Sequence, residues 1–209
     1  GFYDPAIRRT NNSGGNFYAE IKPAFLKWFK YKLNGWYNYN PSRSSNYHGR
    51  SQKYLNGVAS VNTTEANNWI IENIISYDKT IGKHHLEFTG LYSAQENSNL
   101  SLGLNSNTFV NDLLEIYNMG AGAVQSVSSG YTKSSYVSQM GRINYSYASK
   151  YLLTLTTRRD GYSAFGASTS KFGTFPSAAV GWNVASEDFF KPLVNVVNLL
   201  KLRASYGKA

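Results

Sequence analysis

The sequence predicts an all-β chain of antiparallel transmembrane β-barrel strands, and three observations carry that prediction. Apolar and polar residues alternate with a period of two in segment after segment, as side chains do on the opposite faces of a strand. Short connections alternate with long polar ones, which is the organisation of an outer-membrane barrel with tight turns at one end and loops at the other. The 209 residues include 17 Tyr, 11 Phe and 4 Trp, and many lie near strand ends, where a membrane barrel carries its aromatic girdles.

Taken in chain order, the first strand spans Asn16 to Lys22, where Phe17, Ala19 and Ile21 alternate with Tyr18, Glu20 and Lys22. A short connection at Phe25-Leu26-Lys27 leads to the cleanest segment, Phe29 to Asn40. There Phe29, Tyr31, Leu33, Gly35, Tyr37 and Tyr39 oppose Lys30, Lys32, Asn34, Trp36, Asn38 and Asn40. A long polar connection from Pro41 to about Asn67 precedes a weaker strand, Asn68 to Asp78, which has Ile on both faces. After the turn Lys79 to Lys83 comes Leu86 to Ala94, with Leu86, Phe88, Gly90 and Tyr92 against His85, Glu87, Thr89 and Ser93, and Leu91 as the single violation.

The longest connection, Glu96 to about Ser134, leads into Ser135 to Tyr147, where Val137, Gly141, Ile143 and Tyr145 oppose Ser138, Arg142, Asn144 and Ser146, with Tyr136 and Met140 as exceptions. Ala148-Ser149-Lys150 turns the chain into Tyr151 to Arg158, with Leu153 and Leu155 against Thr154 and Thr156. A third long connection, Asp160 to Phe172, is followed by Ser177 to Val184. The medium connection Ala185 to Val197 begins Ser186-Glu187-Asp188, which predicts a short helix whose acidic residues sit at the favourable end of its dipole. Leu200 to Tyr206 closes a set of eight strands.

On this reading the greasy faces meet lipid. The faces holding Lys30, Lys32, Glu72, Glu87, Arg142, Arg158, Lys201 and Arg203 line a watery lumen. A soluble antiparallel sandwich also alternates, so the alternative is a soluble β-rich carbohydrate-binding module with the aromatic loops as its platform. Aromatics at strand ends, rather than Val, Ile and Leu at mid-strand, favour the barrel.

Composition excludes several classes. A hydrophobic content of 42% rules out a disordered polar tail. The absence of Cys excludes disulfides and thiolate chemistry. No apolar run reaches the roughly 18 residues of a spanning helix, a criterion that does not bear on strands. The formal charge is +9, yet Lys79, Lys83 and Lys150 cluster at the short turns, so no nucleic-acid partner is expected. The chain opens Gly1-Phe2-Tyr3-Asp4-Pro5, which does not read as a signal peptide.

The sequence predicts no enzyme, cofactor or metal site. Gly161-Tyr162-Ser163-Ala164-Phe165 has Phe where a nucleophile elbow needs Gly. Gly120-Ala121-Gly122 lacks the third glycine of a dinucleotide loop. His84 and His85 are adjacent in a strand and so point to opposite faces, unable to grip one ion together. Arg158 and Asp160 share a face and are expected to pair, whereas Arg159 falls on the lipid-side register, where it snorkels to the interface. Aromatic rings among amides suit sugars and peptides, which makes Tyr47, Tyr54, Phe109, Tyr117 and Tyr131 of the long loops the candidate ligand contacts.

One region also carries a family resemblance. Gly141-Arg142-Ile143-Asn144-Tyr145-Ser146-Tyr147, Tyr151-Leu152-Leu153-Thr154 and Arg158-Arg159-Asp160-Gly161-Tyr162-Ser163-Ala164-Phe165-Gly166 occur in the order seen in SusC/RagA-type TonB-linked transporters. Phe175-Pro176-Ser177, Gly181-Trp182, Glu187-Asp188-Phe189 and Leu200-Lys201-Leu202-Arg203-Ala204-Ser205-Tyr206-Gly207 extend the similarity. The resemblance implies a TonB-dependent receptor of the outer membrane in Bacteroidota, with a plug inside a barrel of about 22 strands. It implies nutrient uptake of oligosaccharides or peptides, a SusD-like surface lipoprotein, and the TonB complex reached through N-terminal parts. Residues 1–209 would then be part of a single barrel domain, without signal peptide or plug, and would need the rest of the barrel to satisfy their strand edges.

Overall fold

The computed structural model describes residues 6–50, 56–165, 170–193 and 195–208. Among the described residues there are nine strands: β1 Ala6–Thr10, β2 Ser13–Ile21, β3 Phe29–His48, β4 Val58–Ile81, β5 His84–Phe109, β6 Gly122–Tyr147, β7 Tyr151–Tyr162, β8 Phe172–Asn183 and β9 Lys201–Gly207. They form one sheet in the order β1-β3-β4-β5-β6-β7-β8-β9, and β2 also pairs with β3. Since β1 and β2 follow one another along the same edge of β3, the nine strands make eight rows. Antiparallel all-β architecture is therefore as the alternation implies.

The structure corrects the extent of the connections. β3 to β6 are 20, 24, 26 and 26 residues long, so much of the expected loops Pro41–Asn67 and Glu96–Ser134 is strand. Composition misleads here for a physical reason. These extensions bury only a few apolar side chains, Tyr47, Ala59, Val61 and Phe109, so they carry little apolar period, and their Asn, Ser and Gly residues are held by ladder hydrogen bonds. The remaining connection between β5 and β6 holds two 3-10 turns, Glu115–Tyr117 and Met119–Ala121. The expected helix after β8 is also 3-10, in two pieces, Val184–Ser186 and Asp188–Leu193, with Pro192 inside the second.

Contacts divide the chain into two compact units: Gly1–Gly15, Trp36–Trp69 and Glu96–Ser134 form one, and Asn16–Gly35, Ile70–Gln95 and Ser135–Ala209 the other. The first unit has a small buried core of Tyr47, Ala59, Val61, Phe109 and Ile116, against which Ile7 and Met119 pack. The second is a ladder with tight turns. Gly82, at φ +59°, supplies the left-handed residue of the β4–β5 hairpin. The β6–β7 hairpin instead places Ala148 and Ser149 at φ 51° and 57°, closed by Lys150 N–H donating to the Tyr147 carbonyl at 2.9 Å. Gly161 lies opposite Phe172, and a side chain there would collide with the phenyl ring that covers it.

Candidate functional site

The functional element of the second unit is a surface with two chemically different sides. Register fixes them row by row. Ile143, Leu155, Ala178 and Tyr206 stand in line, as do Tyr145, Leu153, Val180 and Ala204. On the other side the corresponding rows are Arg142, Thr156, Ser177 and Gly207, then Asn144, Thr154, Ala179 and Ser205. The apolar side leaves Ile143, Leu155 and Val180 exposed at 39%, 42% and 55%, which fits lipid and would be costly against water. The polar side is cross-linked: Asn34 donates to Glu72 Oε2 at 3.2 Å on β3–β4 and Asn144 to Glu87 Oε2 at 3.2 Å, while on the opposite face Tyr31 donates to Asn73 Oδ1 at 2.6 Å.

Aromatic rows mark the ladder's ends. Tyr147, Tyr151, Trp182 and Leu202 share a row next to the short turns, and the Tyr147 and Tyr151 rings stack at 6.5 Å. Beside them Glu187 accepts hydrogen bonds from Lys150 Nζ and Tyr151 Oη at 2.8 Å each and from Trp182 Nε1 at 3.1 Å. The lysine, then the phenol and the indole, hold the Glu187 carboxyl down at about 2. The residue read as a helix-capping acid thus ties the β6–β7 turn to the segment after β8.

Toward the other end, Arg158 Nε donates to both Asp160 oxygens at 2.9 and 2.8 Å, and Ser138 Oγ donates to Asp160 as well. Arg159, on the apolar side, lies over the Phe172 ring at 4.4 Å. Both arginines therefore sit where the alternation put them.

The first unit holds the loop aromatics. Tyr47 and Phe109 are buried, 2% and 6% exposed, and meet edge to face at 5.5 Å. Tyr47 Oη donates to Asp112 Oδ1 at 2.6 Å; the Arg50 backbone N–H reaches the same oxygen at 3.2 Å, and Arg50 Nε stands 3.6 Å from Oδ2. The tyrosine, foremost, holds the Asp112 carboxyl below its usual range. Tyr117 and Tyr131 are 79% and 63% exposed. Tyr54 lies outside the described residues. The structure thus brings Tyr47 and Phe109 together in a core and leaves Tyr117 and Tyr131 open to solvent.

Sequence reasoning passed over a concavity of about 70 Å³ beside this core, lined by Ile7, Arg9, Arg43, Ser45, Ile116 and Tyr117. Arg9 and Arg43 are direct register partners across β1 and β3, a like-charge pairing that favours an anion between them. Arg43 falls on the odd positions of β3, the side of Tyr37 and Tyr39. Only the pairing of distant segments brings these arginines together, so no local motif announces them.

No family model matches the chain. It is 39% identical over 154 residues to TonB-dependent receptor P3 of Formosa agariphila, covering 73% of this chain and 15% of that protein. It is 47% identical over 76 residues to TonB-dependent receptor SusC of Bacteroides thetaiotaomicron, covering 36% of this chain and 7% of SusC. Among solved structures, the RagAB peptide transporter superposes with a TM-score of 0.81 at 19% identity, covering 98% of this chain and 23% of that one. The chain thus spans under a quarter of the length of each of these proteins.

Proposed function

We propose a function from one premise: the chain is a barrel segment of a SusC/RagA-type TonB-dependent receptor. On that premise residues 1–209 belong to a single barrel domain of about 22 strands in the outer membrane of a Gram-negative bacterium of the Bacteroidota type. The whole receptor imports oligosaccharides or peptides. It works with a SusD-like surface lipoprotein, and the TonB complex energises it through N-terminal parts. This segment supplies wall and outer loops and carries out no covalent chemistry. The observation that carries the reading is the two-sided register, with Ile143-Leu155-Ala178-Tyr206 on one side and Arg142-Thr156-Ser177-Gly207 on the other. A bilayer facing a water-filled lumen calls for that difference.

Of the loop aromatics, we assign ligand contact to Tyr117 and Tyr131, whose exposure supports the assignment, and to Tyr54 on sequence grounds. Tyr47 and Phe109 act on a ligand through the loop they anchor. The test is uptake by a strain whose receptor gene is deleted and then restored, offered labelled oligosaccharides and labelled peptides, with and without a functional TonB. Restored uptake of one class, dependent on TonB, supports import and names the substrate class. Uptake indifferent to the receptor sinks it. Tyr117→Ala and Tyr131→Ala should lower uptake at unchanged receptor abundance.

A further inference from the structure

We propose that the β4–β5 hairpin carries a site for a first-row divalent cation of the zinc type, built from Asp78, His85 and Glu87. One ligand atom from each of these residues lies within 4.8 Å of the other two. His85 Nε2 and Glu87 Oε1 are 3.2 Å apart. Zinc bonds of about 2.0–2.2 Å place two tetrahedral ligands roughly 3.3–3.5 Å apart, so this pair already stands near the spacing an ion requires. Asp78 Oδ1 lies 3.7 Å from His85 Nδ1, the other ring nitrogen, on a side chain that is 65% exposed, so it takes the third position only after a side-chain rotation.

The surroundings orient the ligands. Thr80 Oγ1, 2.9 Å from His85 Nδ1, holds the ring by that nitrogen and frees Nε2 for a metal. Asn144 Nδ2 donates to Glu87 Oε2 at 3.2 Å, occupying the carboxylate oxygen that the ion does not need. The tight turn through Gly82 brings all three ligands onto one short hairpin, so little chain has to be ordered when the ion binds. A neutral imidazole with two carboxylates balances a divalent charge, and its nitrogen selects transition metals over calcium and magnesium, which take oxygen. The adjacent His84 takes no part: its Nδ1 is 2.7 Å from Tyr145 Oη on the opposite side of the strand.

That division supplies the test, which goes beyond import and does not depend on it. The full-length receptor in detergent is stripped with chelator, titrated with Zn²⁺ in excess Mg²⁺, and its bound zinc counted by elemental analysis. His85→Asn should lose one zinc per receptor or bind it at least tenfold more weakly, while His84→Asn should match the wild type. Asn144→Ala should weaken binding by about 10- to 100-fold. Glu87→Gln gives a second ligand variant should His85→Asn fail to fold, as judged by heat-modifiable migration. Wild-type stoichiometry in both ligand variants, or no saturable zinc in the wild type, overturns the site; an ion pair alone would give the latter result.

Discussion

Ala178 and Ala179 are neighbours in β8 with the same side chain and opposite surroundings, which makes them a matched pair for testing which side meets lipid. Ala178 stands in register with Leu155 and Tyr206; Ala179 stands with Thr154 and Ser205. Ala178 is four residues from Trp182 of the aromatic row. At a rise of about 3.3 Å per residue and a tilt near 40°, it lies about 10 Å inside an apolar band about 25 Å tall, close to its midplane. Ala178→Arg should therefore cost about 2–4 kcal/mol, the midplane penalty for a lipid-facing arginine, or roughly a 30- to 700-fold fall in the folding equilibrium. Ala179→Arg should stay within about 0.5 kcal/mol, since the added charge reaches water. Denaturant unfolding of the full-length receptor in lipid vesicles, followed by heat-modifiable migration, reads both variants. Equal costs, or a larger cost for Ala179→Arg, would refute the assignment of sides. A soluble protein with Ala178 on its surface would tolerate that arginine.

Three further outcomes follow from the same geometry. The Glu187 carboxyl is held at about 2, below its ordinary 4.5, so its stabilising effect is fully present above pH 4.5 and is lost as pH falls toward 2. Unfolding midpoints measured across that window should show less pH dependence in Glu187→Gln than in the wild type. Phe109→Ala removes half of the Tyr47–Phe109 contact in the loop core and should cost about 3 kcal/mol. Faster proteolysis between Val110 and Ala121, with the β7–β8 ladder still protected, is the expected readout. Ala148→Asn with Ser149→Gly relieves two left-handed non-glycine residues in the β6–β7 turn and should raise stability by about 1 kcal/mol or more in the same denaturant assay.

Why the alternation was legible in some stretches and absent in others is itself informative. The alternating stretches begin or end near Asn16, Asn68, Ala94 and Ser135, and the contact division falls at Asn16, Ile70, Glu96 and Ser135, with a fifth boundary at Trp36 inside the alternating stretch Phe29 to Asn40. β4, β5 and β6 continue past those points as paired strands without a clean two-residue period. A period of two is therefore a record of solvent, not of strand. It is clean where the two faces meet different media along the whole strand and fades in the extensions, where only the small core around Tyr47, Ala59, Val61 and Phe109 is covered. The ladder in the second unit is readable for that reason, down to the sides taken by Arg158 and Arg159, while in the first unit the strand beyond Asn40 reads as loop. The Arg9–Arg43 pair and the Asp78-His85-Glu87 group escaped notice for a different reason. Both depend on which residue faces which across a ladder, and a single sequence does not state register between strands. In the second case the adjacent His84-His85 is the pair a linear reading shows, whereas the proposed site uses one histidine and the carboxylates on its own side of the hairpin. On the proposed membrane reading, a strand that continues where its alternation stops crosses the edge of the bilayer, which puts that edge in β6 near Ser135.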